Sequence, residues 1–156
     1  DLSIRITRRL ESGDVARRIG SSRMLVVAAP DYLARHGRPQ HPAELTHHVC
    51  LGYTYAGSSQ VWQFMVGDGL ESFHVRSRLN ANNGEVLTEA AAQGLGITCQ
   101  PDFIVDTFLA AGRVEEILAA YPIPELGIYA MLPSNRHVPH RVRVLMDTLA
   151  ERLAVA

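Results

Sequence analysis

The run Met24-Leu25-Val26-Val27-Ala28-Ala29, closed by Pro30, constrains this chain more than any other segment. Six apolar residues with no polar alternation read as a strand buried on both faces. Such a strand needs a sheet covered on two sides, and helix-forming segments follow strand-like ones along most of the chain. Alternation of that kind defines an α/β fold. The run is also far too short to cross a membrane, which takes about 20 apolar residues.

Other segments follow from local chemistry. Asp1 to Ile6 alternates polar and apolar, predicting a half-buried strand. Val15 to Gly20 is a short strand or loop. Asp31 to His36 predicts a helix ended by Gly37, and Pro42 opens a second over Ala43 to His47. Val49 to Thr54 is a strand, and Gly57-Ser58-Ser59 a flexible loop. Trp62 to Val66, Gly67-Asp68-Gly69 and Glu71 to Leu79 predict a hairpin. Asn82 with Glu85 three residues on resembles a capping box before a helix from Val86 to Gln93; an Asn-Gly hairpin turn is the weaker reading. Gly94 closes that helix, with Leu95 as its hydrophobic partner. Ile97 to Cys99 is a strand stopped by Pro101, which opens a helix over Asp102 to Ala111. Arg113 to Leu118 and Leu126 to Leu132 are strands. Val142, Leu145, Met146, Leu149 and Leu153 then form one stripe on a last helix beginning near Pro139.

Composition excludes several functions. All 15 basic residues are arginine, 16 are acidic, and the net charge is −1. A near-neutral segment lacks the basic face that phosphate binding needs, so nucleic acid is not its own partner. The two cysteines, Cys50 and Cys99, make no disulfide framework and suit a reducing compartment. Each sits in an expected strand, either as a small buried hydrophobe or as half of a thiol switch. Seven histidines give no metal-ligand spacing: His47 and His48 are adjacent, and a proline separates His137 from His140. No nucleophile elbow, phosphate loop or zinc-protease helix occurs, and Gly94-x-Gly96 follows a helix instead of a strand. No enzyme, metal or cofactor is expected. The polar residues that remain, Thr54, Tyr55, Asn82, Asn83 and Gln100, fall at strand-to-helix junctions. Junctions of that type gather at the carboxyl edge of an α/β sheet, where small anions bind; capping and ligand contact can coexist there.

An ordered set of segments resembles one family, the effector-binding region of LysR-type transcriptional regulators. It comprises Asp1 to Ile6, Leu25 to Leu33, Gly37-Arg38-Pro39 with His41 to Leu45, Trp62-Gln63-Phe64, Asn82 to Glu85, Ala92 to Ile97, Pro101-Asp102-Phe103 and Pro133 to Pro139. The resemblance implies a bilobal α/β fold of the type 2 periplasmic-binding-protein kind, with two crossing strands. Residues 1–26 and 127–156 would be parts of lobe I, left incomplete, and residues 27–126 would be lobe II. The family's winged helix-turn-helix DNA-binding domain would lie outside this chain, which reads as a fragment of a longer regulator. A small effector, with organic acids as one candidate class, would bind in the interlobe cleft and alter the geometry of a homodimer or homotetramer in the cytoplasm. Carried over residue by residue, the effector contacts would be Arg5, Ile6 and Thr7, then Tyr53, Thr54 and Tyr55, then Asn82, Asn83, Gly84 and Gln100. Arg5 would pair an effector carboxylate, or else point to solvent from an edge strand. Two other functions carry this fold: a solute-binding protein of a transport system and a small enzyme.

Overall fold

A computed structural model describes residues 2–54, 60–133 and 138–154. The chain divides into two units, residues 1–23 with 125–156 and residues 24–124. The mixed α/β architecture is that of a type 2 periplasmic-binding-protein-like fold. The expected loop Gly57-Ser58-Ser59, Tyr55, and residues 134–137 lie outside the described residues.

The first unit holds strands β1 (Ser3–Thr7), β2 (Val15–Ser22) and β10 (Leu126–Leu132) and helix α4 (His140–Ala154). The sheet order is β1-β10-β2, antiparallel throughout. Helix α4 packs on one face, where Ile19, Ile128, Ala130, Val142 and Met146 form the core. The expected stripe is corrected at one position. Val142, Met146, Leu149 and Leu153 join this core, but Leu145 is 48% exposed, and Ala150 takes its place. A spacing of i, i+4, i+7, i+8 and i+11 follows a 3.6-residue turn around a flat sheet better than one that begins i, i+3.

Strand β1 is not half-buried as its alternation predicts. Ile4 and Ile6 pair with Ala130 and Ile128 and so share their face, yet they are 49% and 41% exposed. The apolar period is real, but α4 covers β10 and β2 and leaves the outer strand bare.

The second unit is built on a five-stranded sheet, β7-β4-β8-β3-β9. Its members are β3 (Met24–Ala28), β4 (Cys50–Tyr53), β7 (Ser77–Ala81), β8 (Ile97–Pro101) and β9 (Glu115–Ile117). The apolar run is β3, enclosed between β8 and β9 and buried on both faces. Val26 and Ala28 enter one core, with α1 (Pro30–His36), a 3-10 helix over Pro42–His47 and the hairpin β5 (Gln60–Val66) and β6 (Gly69–Val75). Leu25 and Val27 enter the other core with α3 (Asp102–Ala110), while α2 (Gly84–Ala92) covers Leu51 on β4. Two opposite cores explain why this strand has no polar positions.

The expected strand Glu71 to Leu79 breaks at Arg76. Residues up to Val75 pair with β5, and from Ser77 the chain pairs in parallel with β4. Apolar periodicity cannot mark that change of partner, because both halves are extended. Helix α2 ends as expected in a Schellman arrangement: Gly94 at φ +75° donates to Ala91 O, and Leu95 N–H donates to Ala90 O. Leu95 is itself exposed and closes nothing hydrophobically. No helix among the described residues is long and apolar enough to cross a membrane.

Candidate functional site

In the second unit β4, β7 and β8 run parallel, so their C-terminal ends lie along one edge of the sheet. Tyr53 and Thr54 end β4, Asn82, Asn83 and Gly84 join β7 to α2, and Gln100 lies near the end of β8, just before α3. The sheet therefore brings together six of the sequence-predicted site residues. Tyr53, Thr54, Asn82 and Asn83 are exposed, whereas Gly84 and Gln100 are buried. Tyr55 is outside the described residues. Arg5, Ile6 and Thr7 belong to β1 of the other unit. There Arg5 Nη1 donates to Asp14 Oδ2 at 3.1 Å, and Thr7 Oγ1 donates to Arg9 O at 2.9 Å.

The helix cap is corrected by one residue. Asn83, not Asn82, is the N-cap of α2, and its Oδ1 accepts from Glu85 N at 2.9 Å and Val86 N at 3.2 Å. No Glu stands three residues after Asn83, so there is no reciprocal capping box; Glu85 lies in the first turn, where a carboxylate suits the helix dipole. With two of the helix amides taken by Asn83, the exposed Asn82 remains to face solvent or a ligand. Asn83→Ala is expected to destabilise this unit by about 1 kcal/mol, and Asn82→Ala by a few tenths at most. Paired denaturant titrations check this; equal losses would put the cap back on both.

Beneath the exposed residues runs a buried polar relay. Gln100, 3% exposed, donates from Nε2 to Thr98 Oγ1 at 3.0 Å, and Thr98 Oγ1 donates to Leu51 O at 3.3 Å. The relay locks the Gln100 carboxamide and ties β8 to β4. Gly84 completes the fit. A Cβ there would stand 2.6 Å from Gln100 Oε1 and 2.6 Å from Ile104 Cδ1, so a side chain at this position would push both side-chain ends aside. Thr88 Oγ1 donates to Gly84 O at 2.8 Å and holds the first turn of α2 from below. Sequence reasoning missed Thr98 and Thr88. A signal existed for the first: Thr98 and Gln100, two apart on a strand, share a face in an otherwise apolar segment. Thr98→Val keeps shape but strands the Gln100 amide without a partner, an expected loss of about 1–3 kcal/mol, read from the unfolding midpoint in urea.

The edge presents neutral hydrogen-bonding groups and the starts of two helices, α2 and α3, whose positive partial charge is met by the carboxylates of Glu85 and Asp102 in their first turns. Asp102 Oδ1 accepts from Phe103 N at 2.9 Å in the first turn of α3. Further back, Glu89 on α2 is held by Arg113 at 2.5 and 2.9 Å.

The cysteines lie on adjacent strands, as the sequence allowed. Cys50 on β4 stands opposite Ile97 of β8, the strand that carries Cys99. Cys50 is buried and Cys99 half-buried. Burial, and secondarily Cys99, pushes the Cys50 thiol up to about 12, so at neutral pH it packs as an apolar group.

An α/β unit covered on both faces of its sheet, with polar groups gathered at the carboxyl edge of its parallel strands, is the arrangement of a small-molecule sensing or binding domain. The LysR substrate binding domain family matches residues 1–154, and the chain belongs to it. The transcriptional regulator CrgA of Neisseria meningitidis is 36% identical over 154 residues, covering 98% of this chain and 51% of that protein. PtxR of Pseudomonas aeruginosa, also a transcriptional regulator, is 32% identical and is covered to 49%. The chain thus spans about half the length of the curated relatives it matches. The solved regulatory domain of CrgA superposes with a TM-score of 0.82 at 36% identity, over 98% of this chain and 75% of that one. Full-length AphB of Vibrio cholerae, a virulence activator, gives 0.82 at 29% identity, over 97% and 51%. These relatives are regulators, which favours sensing over the transport of solutes.

Proposed function

We propose that this chain is the effector-sensing domain of a LysR-type bacterial transcription regulator. Its lobes are read as residues 1–26 with 127–156 and residues 27–126, bounds that fall within a few residues of those of the two units, 1–23 with 125–156 and 24–124. A small effector, an organic acid being one candidate, is recognised by Tyr53, Thr54, Tyr55, Asn82, Asn83, Gly84 and Gln100, with Arg5, Ile6 and Thr7 as further contacts. The observation that carries this reading is the convergence of three strand ends and a capped helix start on one edge, over a locked carboxamide. An effector that favours one arrangement of the protein shifts its population and the packing of a homodimer or homotetramer. DNA is contacted by a winged helix-turn-helix outside this chain, in the cytoplasm, and no chemistry is performed on the effector.

The test is a thermal-shift screen of small aromatic and aliphatic acids on the intact regulator, with footprinting of DNA upstream of its own gene. A stabilising acid whose effect is lost in Asn82→Ala, together with a footprint that the acid alters, is the expected result. No stabilisation by any acid and no footprint would remove the basis of the reading.

A further inference from the structure

One irregular stretch of the second unit gathers positive charge. The chain leaves the β5–β6 hairpin at Arg76, and its new pairing with β4 is itself uneven. Cys50 of β4 stands opposite Ser77 and Leu51 opposite Leu79, so Arg78 is an extra residue on β7, a bulge. Bulges re-aim a side chain and are common beside active sites. The backbone here is held locally. Cys50 N–H donates to Arg76 O at 3.1 Å, and the Ser77 hydroxyl lies 2.7 Å from Asn80 Oδ1 and 2.9 Å from Leu79 O. Arg76, Ser77 and Arg78, with Val49 from just before β4, line a cavity of about 350 Å³. That volume is at the lower end of the range for small-molecule sites. Among the described residues no carboxylate lines it.

The second unit carries ten acidic residues and five arginines. Three of those arginines are engaged. Arg35 donates to Asp31 O and Gly94 O, Arg38 pairs with Glu115, and Arg113 pairs with Glu89. Among the described residues the guanidiniums of Arg76 and Arg78 meet no acceptor. Both are exposed, and both line the same cavity. Two like charges side by side repel, and an anion between them relieves that repulsion. In a unit with twice as many carboxylates as arginines, the two cations that found none stand together.

We propose that this cavity is an anion site, separate from the effector edge, that takes a small oxyanion with at least two acceptor oxygens, a carboxylate or a phosphate. A guanidinium presents a planar fork of donors that matches such a group bidentately, and hydrogen bonds charged on both sides are the strong ones. Val49 ties the cavity to the rest of the unit. Its N–H donates to the Tyr32 hydroxyl at 3.0 Å, and its carbonyl accepts from Ile97 N–H at 2.9 Å. Strand β4 then runs on to Tyr53 at the candidate site. An anion at Arg76 and Arg78 therefore lies at the opposite end of β4 from the residues assigned to the effector, and it is a second ligand.

Modification by phenylglyoxal, which attacks accessible guanidiniums, tests the site in the intact protein, with each arginine followed by peptide mass spectrometry. Inorganic phosphate or succinate, against sodium chloride of equal ionic strength, is expected to slow modification of Arg76 and Arg78 several-fold. Arg141 and Arg143, on α4 of the other unit, should react as before. Protection by phosphate alone assigns a phosphate group, protection by succinate alone a carboxylate, and protection by both a site for either; each supports the proposal. Calorimetric titration of the protecting anion then compares variants. The double variant Arg76→Gln, Arg78→Gln should lose at least about tenfold in affinity, and Arg141→Gln with Arg143→Gln should lose none. No protection beyond chloride, equal protection at Arg141 and Arg143, or undiminished affinity in the Arg76→Gln, Arg78→Gln variant overturns the proposal.

Discussion

Phe64→Ala is expected to cost the second unit about 3–5 kcal/mol, the range for emptying an aromatic site in a packed core. Phe64 is fully buried on β5 and meets Phe73 of β6 edge-on at 5.9 Å. Hairpin β5–β6 forms no ladder with the five-stranded sheet, so packing joins the two: Phe64, Trp62 and Val75 share one core with Val26, Cys50 and Ile97. Truncation removes the fully buried member of the three hairpin residues that pack on that sheet. The hairpin cannot collapse onto the gap easily, because Met65 N–H is also held by Pro122 O at 2.8 Å. Equilibrium unfolding in urea should show a lower midpoint. Phe64→Leu, which refills part of the volume, should recover more than half of the loss. A loss under 1 kcal/mol for alanine would mean that the hairpin is dispensable to this core.

The second large effect is expected at Gly96. Its backbone is not left-handed; the constraint is space. A Cβ at this position would lie 2.6 Å from Val49 O, with Val49 Cγ1 at 3.1 Å and Leu51 Cδ2 at 3.2 Å. A carbonyl cannot rotate away as a side chain can, and this one accepts the Ile97 N–H at 2.9 Å, the bond that begins the β4–β8 pairing. Gly96→Ala must therefore break a central ladder or displace β4, an expected loss of about 3 kcal/mol. Helix propensity offers no compensation, since the residue lies outside α2. Gly112→Ala is the contrast: open space surrounds it, and its cost is backbone strain at φ +65°. That cost is about 1 kcal/mol. Thermal unfolding of the two variants side by side separates collision from strain, and equal shifts would contradict this account.

Most elements were legible because their signals are local. The doubly buried β3 announces itself in Met24 to Ala29, and Pro30, Gly37, Pro42, Gly94 and Gly112 mark helix ends within a residue or two. The junction residues of the site were legible for the same reason: Asn, Thr and Gln between an apolar strand and a helix have few other uses. What failed was whatever depended on a neighbour. Asn82 and Asn83 are chemically alike, and which of them caps α2 depends on how β7 delivers the chain. Leu145 and Leu95 lie in plausible apolar places, but no partner reaches them. Arg76 marks no break in pattern, yet the chain changes partner strand there.

The residues alone determined an α/β fold, its central strand, the helix ends and the junctions gathered at the candidate site, since periodicity and backbone stereochemistry act over a few positions. Tertiary structure decided three further matters. It selected Thr98 to lock Gln100, it left no room for a side chain at position 96, and it brought the His48 ring to the Tyr32 hydroxyl. Each of these depends on an approach of 2.6 to 3.3 Å between segments distant in sequence or across a turn. Distances on that scale are set by packing, and no local pattern encodes them.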